Sequence, residues 1–428
     1  MDGTPVADLP RFFRLRQRFP RPVVDDIRGA VFGELQRTCG HLELTGKRIA
    51  LTAGSRGIAN VATILRACVD WLKGQQAIPF VVPAMGSHGG ATAEGQVRVL
   101  AALGIDESSL DCPLLASMDV VKIGDAAEGF PIYMDAHAAQ ADGVLVVNRI
   151  KPHTRFAGDI ESGLMKMMLI GLGKQRGAEV YHRAIVNYSF DRIVRSVSQA
   201  VMAHCHVIGG LAILENAYEE TAALRGVKPA EIETVEPELL RQVKQWMPSI
   251  PFDHLDLLIV DSIGKNISGT GMDTNVIGRK RNDHAAIGGD RPDIHHIYVR
   301  SLTPQTHGNA SGIGLAEMCH RRVLEQMDVA ATRMNCITAN HITGAMLPVD
   351  FPNDRTAVHT ACQMAGYLPP SQVSIAWIQD TLHLDEIECS EVLLPAAQAL
   401  SHVEIVTAPR ELAFDEEGDL IPSFAAVS

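Results

Sequence analysis

The stretch "KRIALTAGSRGIANVATILRACVDWLKGQQAIPFVVPAMGSHGG", residues 47–90, decides the fold class. An apolar run ends in Gly54 and Ser55. Val61, Ile64, Leu65, Cys68 and Leu72 then recur at helical spacing. A second apolar run closes in "MGSHGG" and gives way to "ATAEGQVRVLAALGI", where Thr92 is placed to cap a helix. Two later runs, "ADGVLVVNRIKPH" (141–153) and "HVIGGLAILENAYEE" (206–220), repeat the strand theme. Strands alternating with helices predict an α/β domain with a mostly parallel, Rossmann-like sheet covered on both faces. In such sheets ligands bind beyond the carboxyl ends of the strands. The residues there are Ser55-Arg56, Ser87-His88 and Lys151-Pro152-His153, and these turns are expected on one edge of the sheet.

The segment "QWMPSIPFDH" reads as a linker, giving domains over 1–250 and 251–428. After it "LDLLIVDSIGKNISGTGMDTNVIGRK" restarts the strand-then-glycine pattern. "RMNCITANHITGAMLP", "QVSIAWIQD" and "HVEIVTAP" read as further strands of a second α/β domain, with the active site expected in the cleft between the two. The chain of 428 residues carries a net charge of −12 and no basic block, which excludes a nucleic-acid phosphate surface. Its densest cationic run, Arg11, Arg14, Arg16, Arg18 and Arg21, is read as a solvated arm. The eight cysteines are scattered without a CxxC, the pattern of reduced thiols. With no apolar run of about 18 residues and no signal-peptide core, a cytoplasmic protein that does not engage a membrane is expected. Oligomeric state is not legible.

Several polar residues invite a chemical reading. Arg56, between Ser55 and Gly57, suits a carboxylate or is a turn arginine at the surface. His88, flanked by Ser87 and glycines, is a general base or a solvent-facing loop histidine. His153 follows a proline that stiffens its backbone, as an acid/base or metal ligand would require. Lys166, in "SGLMKMMLIG", either snorkels or is desolvated into a nucleophile and attachment point. His182, in "EVYHR", has no HxxxH or CxxC beside it, so spacing alone defines no metal site. "GLGKQRG" (Gly171, Gly173, Gly177) is similar to a dinucleotide turn, which makes an NAD(P)-dependent oxidoreductase an alternative. "HCH" at 204–206 and "DIHH" at 293–296 are either metal ligands or strand residues that alternate faces. "SGTGMDTN", with Asp273, shapes a substrate pocket or is a turn.

Taken together, these residues resemble the nickel-dependent lactate racemase superfamily over most of the chain. His88 in "GSHGG" resembles the histidine of the family's first glycine/histidine turn. "KPHTRFAG" resembles its Glu-Pro-His-Phe-Phe-Ala-Gly segment and places His153. Lys166 resembles the lysine that is covalently joined to the cofactor. His182, sixteen residues later, falls at the spacing of the nickel-ligating histidine. Arg56 resembles the arginine of the Asp-x-Thr-Arg turn that holds the substrate carboxylate. The resemblance implies an isomerase, a racemase or epimerase of a 2-hydroxy acid. It would carry a nickel-pincer nucleotide, a pyridinium mononucleotide holding Ni, acquired with the help of cofactor-synthesis proteins. His88 and His153 would be the acid/base pair, Lys166 and His182 would hold the cofactor, and Arg56 and Asp273 would bind substrate. The chain departs from the family pattern at Ala53, at "ESGLMKMM" and at "SGTGMDTN", which leaves the particular hydroxy acid open. A non-enzymatic carrier of nickel or cofactor is a further alternative.

Overall fold

The computed structural model describes residues 9–55 and 57–424; Arg56 lies outside the described residues. It divides into two compact units, one spanning Pro20–Met247 and the other joining the segment up to Phe19 with Pro248–Ser428.

In the first unit a sheet runs in the order Ile78–Pro83, Arg48–Ala53, Gly143–Arg149, Val207–Glu215 and Thr221–Val227. Its first four strands are mutually parallel, and the fifth returns antiparallel. Successive side chains along each strand point to opposite faces, and both faces are buried. Ile49, Leu51, Val81, Leu145 and Val147 pack with the helix Val61–Gly74 in one core. Ala50, Phe80, Val82, Val144 and Val146 pack with the segment from Leu164 to Val201 in the other. Thr92 caps its helix by accepting from the Gly95 amide at 3.0 Å.

The strand order creates the one place where this sheet opens. The chain leaves Arg48–Ala53 toward Ile78–Pro83, and leaves the adjacent Gly143–Arg149 in the opposite direction, toward Val207–Glu215. Adjacent parallel strands whose connections diverge leave a crevice at their carboxyl ends. Ser55 lies just past one of these ends, His153 past the other, and His88 past the neighbouring strand. The three turns named from the sequence thus share one edge.

The second unit holds an eight-stranded sheet, in the order Val349–Phe351, Met318–His320, Asp293–Leu302, His254–Ile263, Ile375–Ile378, Glu386–Ser390, Phe12–Gln17 and Val403–Ile405. The first five are parallel and the rest antiparallel. Three expectations are corrected here. Phe12–Gln17 belongs to this unit and not to the first domain. Phe12, Phe13 and Leu15 are buried, and the strand is clamped between two neighbours. The arginine run is consequently no solvated arm: Arg14 pairs with Glu386 and Glu388, Arg16 with Glu386, and Arg18 with Glu404. Finally, "RMNCITANHITGAMLP" is not a strand: its first six residues end the helix Val329–Thr338, capped by Asp328, and Ile342–Ala345 form a 3-10 turn. Among the described residues no helix is long and apolar enough to cross a membrane.

Candidate active site

The crevice edge is lined by short-range contacts that bring the two turns and the lysine segment together. A Cβ on Gly54 would lie 3.4 Å from Met167 Cε and 3.8 Å from Asn148 Oδ1. Asn148, at the end of its strand, donates to the Gly163 carbonyl at 2.7 Å and so ties the lysine segment to the sheet. Lys166 ends the short helix Leu164–Lys166. The next turn, Met167–Gly171, widens into a π-helix in which the Leu172 amide donates to the Met167 carbonyl at 2.9 Å. Such widened turns recur at functional sites because they re-aim the side chains around them.

A buried carboxylate braces the residue before Lys166. Glu236 accepts from the Met165 amide at 3.0 Å, and its other oxygen has no hydrogen-bond partner in the structure. Burial pushes its pKa up to about 8, against the pull of the Met165 and Leu164 amides. Gly163 is required at the approach, since a Cβ there would collide with Glu236 Oε1.

An aromatic cluster links the candidate residues. His153 stacks on Phe156 at 4.2 Å, and Phe156 stacks on Phe190 at 4.4 Å. Tyr181 meets Phe156 and Phe190 edge-on at 6.1 and 5.9 Å, and its neighbour His182 lies 5.3 Å from it between ring centres. Lys166 Nζ sits 6.0 Å from the Phe156 ring centre, at the limit of a cation–π contact. The His182 ring reaches solvent. Its pKa is nevertheless lowered, first by the protein packed against it and then by the Lys166 ammonium. Both Lys166 and His182 thus adjoin this aromatic cluster, and the lowered pKa favours the neutral form of the His182 imidazole.

The two other histidines are pinned through one nitrogen each. His153 Nδ1 accepts from the Arg155 and Phe156 amides at 3.0 and 3.3 Å, so its neutral ring carries the proton on Nε2. Its own amide donates to Glu161 at 2.8 Å; Glu161 is buried and paired with Lys244 at 2.6 Å. His88 Nδ1 hydrogen-bonds the Ser55 hydroxyl, joining the turns of adjacent strands. The His88 turn is held from beneath. Gln96 donates to the Gly86 and His88 carbonyls at 2.9 and 3.4 Å and accepts from Lys174 at 3.3 Å. Lys174 is fully buried, paired with Asp135 at 3.1 Å and bonded to the Pro83 carbonyl.

This network overturns the dinucleotide alternative. Gly171–Gly177 follows the π-helix turn Met167–Gly171 and not a strand, so the strand–turn–helix context of a dinucleotide turn is missing. Leu172 donates to Met167, and Gly177 to Gly173 at 2.6 Å. The glycines serve packing, since a Cβ on Gly173 would strike the Leu169 carbonyl at 2.6 Å. Lys174 points into the core, away from any ligand. In "HCH", His204 ends the helix Phe190–His204 and bonds the Ala200 carbonyl at 2.8 Å, ahead of the strand. Asp273 belongs to the second unit. It is buried, and its Oδ1 accepts from the Asn275 amide and side chain at 2.9 and 2.7 Å, which builds the turn of "SGTGMDTN".

Sequence reasoning missed Phe156, Tyr181, Phe190, Glu161, Glu236 and Gln96. Only Phe156 left a signal, three residues after His153 in "KPHTRFAG".

The first unit carries a lactate racemase-like domain. Residues 51–192 match the lactate racemase N-terminal domain family and form a domain of that kind. The chain is similar in structure to the lactate racemase apoprotein from Thermoanaerobacterium thermosaccharolyticum, with a TM-score of 0.52 and 14% identity, covering 89% of this chain and 95% of that one. It is equally similar to a structural-genomics protein from Thermotoga maritima, with a TM-score of 0.52 and 13% identity, covering 86% and 99%. At these identities the likeness is one of fold. No curated protein sequence matches the chain.

Proposed function

We propose that the protein is a racemase or epimerase of a 2-hydroxy acid that works with a nickel-pincer nucleotide. The observation that carries this reading is that Lys166 and His182 border one aromatic cluster, Lys166 Nζ 6.0 Å from the Phe156 ring centre and the His182 ring 5.3 Å from that of Tyr181. That donor set fits the group. Lys166 is the nucleophile for a covalent tether, and His182 is a nitrogen ligand suited to tetragonal Ni²⁺. When bound, the nucleotide would supply the acceptor for the hydride of the substrate's α-carbon.

The chain's own residues do the remainder. Phe156, Phe190 and Tyr181 form an apolar wall beside Lys166 that excludes water. His88, fixed through Nδ1 by Ser55, takes the hydroxyl proton of one enantiomer at Nε2. His153, with Nδ1 occupied by backbone amides, delivers its Nε2 proton to the other face. Two separately pinned rings are what loss of stereochemical preference asks for. By its position in the sequence after Ser55, Arg56 is assigned to the substrate carboxylate.

The test is a panel of 2-hydroxy acids carrying deuterium at the α-carbon, offered to protein produced with the cofactor-synthesis proteins. Scrambled stereochemistry with retained label is expected. Label washed into solvent contradicts the reading, and turnover of nothing by loaded protein would make it a carrier. His153→Asn keeps an acceptor near the Nδ1 position but removes Nε2, and is expected to cost about 10²–10⁴-fold in kcat with cofactor loading intact.

A further inference from the structure

The second unit carries a cluster the reading above does not use. His254 and Asp256 lie two residues apart at the start of the strand His254–Ile263, and the parallel register sets Asp293 opposite His254. His295 accordingly falls beside Asp256. His254 Nε2 is 3.6 Å from Asp256 Oδ1, and His295 Nδ1 is 3.7 Å from the same oxygen. One donor atom from each of the three residues lies within 4.8 Å of the other two. An ion with bonds of about 2.0–2.1 Å sets its tetrahedral ligands about 3.4 Å apart, so both carboxylate–imidazole separations are already close to that edge. The rings are about half exposed, 47% and 55%, so small side-chain rotations can bring the two nitrogens together.

The surroundings orient these donors. Asp256 Oδ2 accepts from the Ser374 amide at 2.8 Å and from its hydroxyl at 2.7 Å, which aims Oδ1 at the rings. Asp293 Oδ2 lies 3.7 Å from His254 Nδ1, placed to take the proton of the nitrogen that does not face Asp256. A carboxylate on the second imidazole nitrogen fixes the tautomer of a metal-binding histidine. Among the described residues no lysine or arginine pairs with Asp256, which would otherwise neutralise it. The neighbouring His254 and His295 rings meet edge-on at 4.8 Å.

We propose that His254, Asp256 and His295 form a binding site for a divalent transition-metal ion of the Zn²⁺ type, with Asp293 and Ser374 orienting two of the ligands. Three protein ligands leave a coordination position open to solvent, and the ion joins the starts of two central strands. The site belongs to the second unit and does not depend on the function proposed for Lys166 and His182. The eight cysteines, all buried, offer no competing thiolate at the surface.

The test uses the full chain without a polyhistidine tag, stripped with a chelator and titrated with Co²⁺ and then Zn²⁺. One equivalent of Co²⁺ is expected to bind with visible d–d absorption that Zn²⁺ displaces, and Zn²⁺ is expected to raise Tm. His254→Ala/His295→Ala should abolish both signals, and Asp293→Asn should weaken binding about 10–100-fold. His182→Ala should leave the signal unchanged. His295→Gln alone, in the presence of unchanged far-ultraviolet circular dichroism, guards against a folding defect. Binding that survives in the double variant, or that needs millimolar metal in the wild type, overturns the proposal.

Discussion

Two buried carboxyls, Asp354 in the second unit and Glu236 in the first, are held in different ways. Asp354 accepts from Tyr298 at 2.7 Å, from Arg300 at 2.8 Å and from the Leu420 amide at 2.8 Å. Arg300 also pairs with Asp261, which accepts from Trp377 at 2.6 Å. Burial alone would raise the Asp354 pKa, but Arg300, Tyr298 and the Leu420 amide bring it below its usual value. In the first unit Glu236 is buried with two amides for company, and its pKa moves the other way. One cluster cements strands and the segment around Leu420. The other holds up the turn that carries Lys166, and it leaves a carboxyl oxygen unsatisfied. The Asp354 charge is matched by Arg300, whereas the Glu236 carboxyl beneath the turn that carries Lys166 has no cation paired with it among the described residues.

The comparison can be broken from either side. Arg300→Met strands two buried carboxylates and is expected to cost about 3–5 kcal/mol in denaturant unfolding. A loss under about 1 kcal/mol, the worth of an exposed pair, would show that the cluster is not the cement described. Gln96→Ala removes the donor to the His88 turn and the acceptor of Lys174, with an expected cost of about 1–3 kcal/mol. Amide exchange should speed up over residues 84–91 in this variant, and unchanged exchange there would separate Gln96 from His88. A third effect concerns pH. Glu236 titrates at about 8 when folded, against 4.5 as its ordinary value, so between these the folded state binds more protons than the unfolded. Stability from this group is therefore present below pH 4.5 and lost as pH rises toward 8. Glu236→Gln should flatten the fall in Tm between pH 5 and pH 8, each kcal/mol of linkage being about 2–4 °C. A parallel shift of both curves would contradict the assignment.

The parallel strands of the first unit were legible because each is a short apolar run closed by glycine, and the helix after the first has a clear 3.6-residue period. Their order was not, and the crevice depends on it. The strand Phe12–Gln17 was hidden because its partners lie some 370–390 residues away, so its arginines looked unpaired. "RMNCIT" contains Ile337 and Thr338, and local β-propensity misled where the Asp328 cap decided. His88, His153, Lys166 and His182 were visible through motif and spacing, whereas the groups that hold them were not. Glu236 follows Met165 by 71 residues, and Asp135 precedes Lys174 by 39, separations that no local pattern encodes. "GLGKQRG" misled for the same reason: its lysine finds its carboxylate in the core.

The central claim is that Lys166 anchors a cofactor whose metal His182 completes. Intact mass spectrometry on denatured protein, produced together with the cofactor-synthesis proteins, tests it most directly. A covalent adduct is expected on the wild type, absent in Lys166→Ala, and retained with reduced nickel content before denaturation in His182→Ala. An adduct that persists without Lys166, or full activity in protein of unmodified mass, would contradict the account.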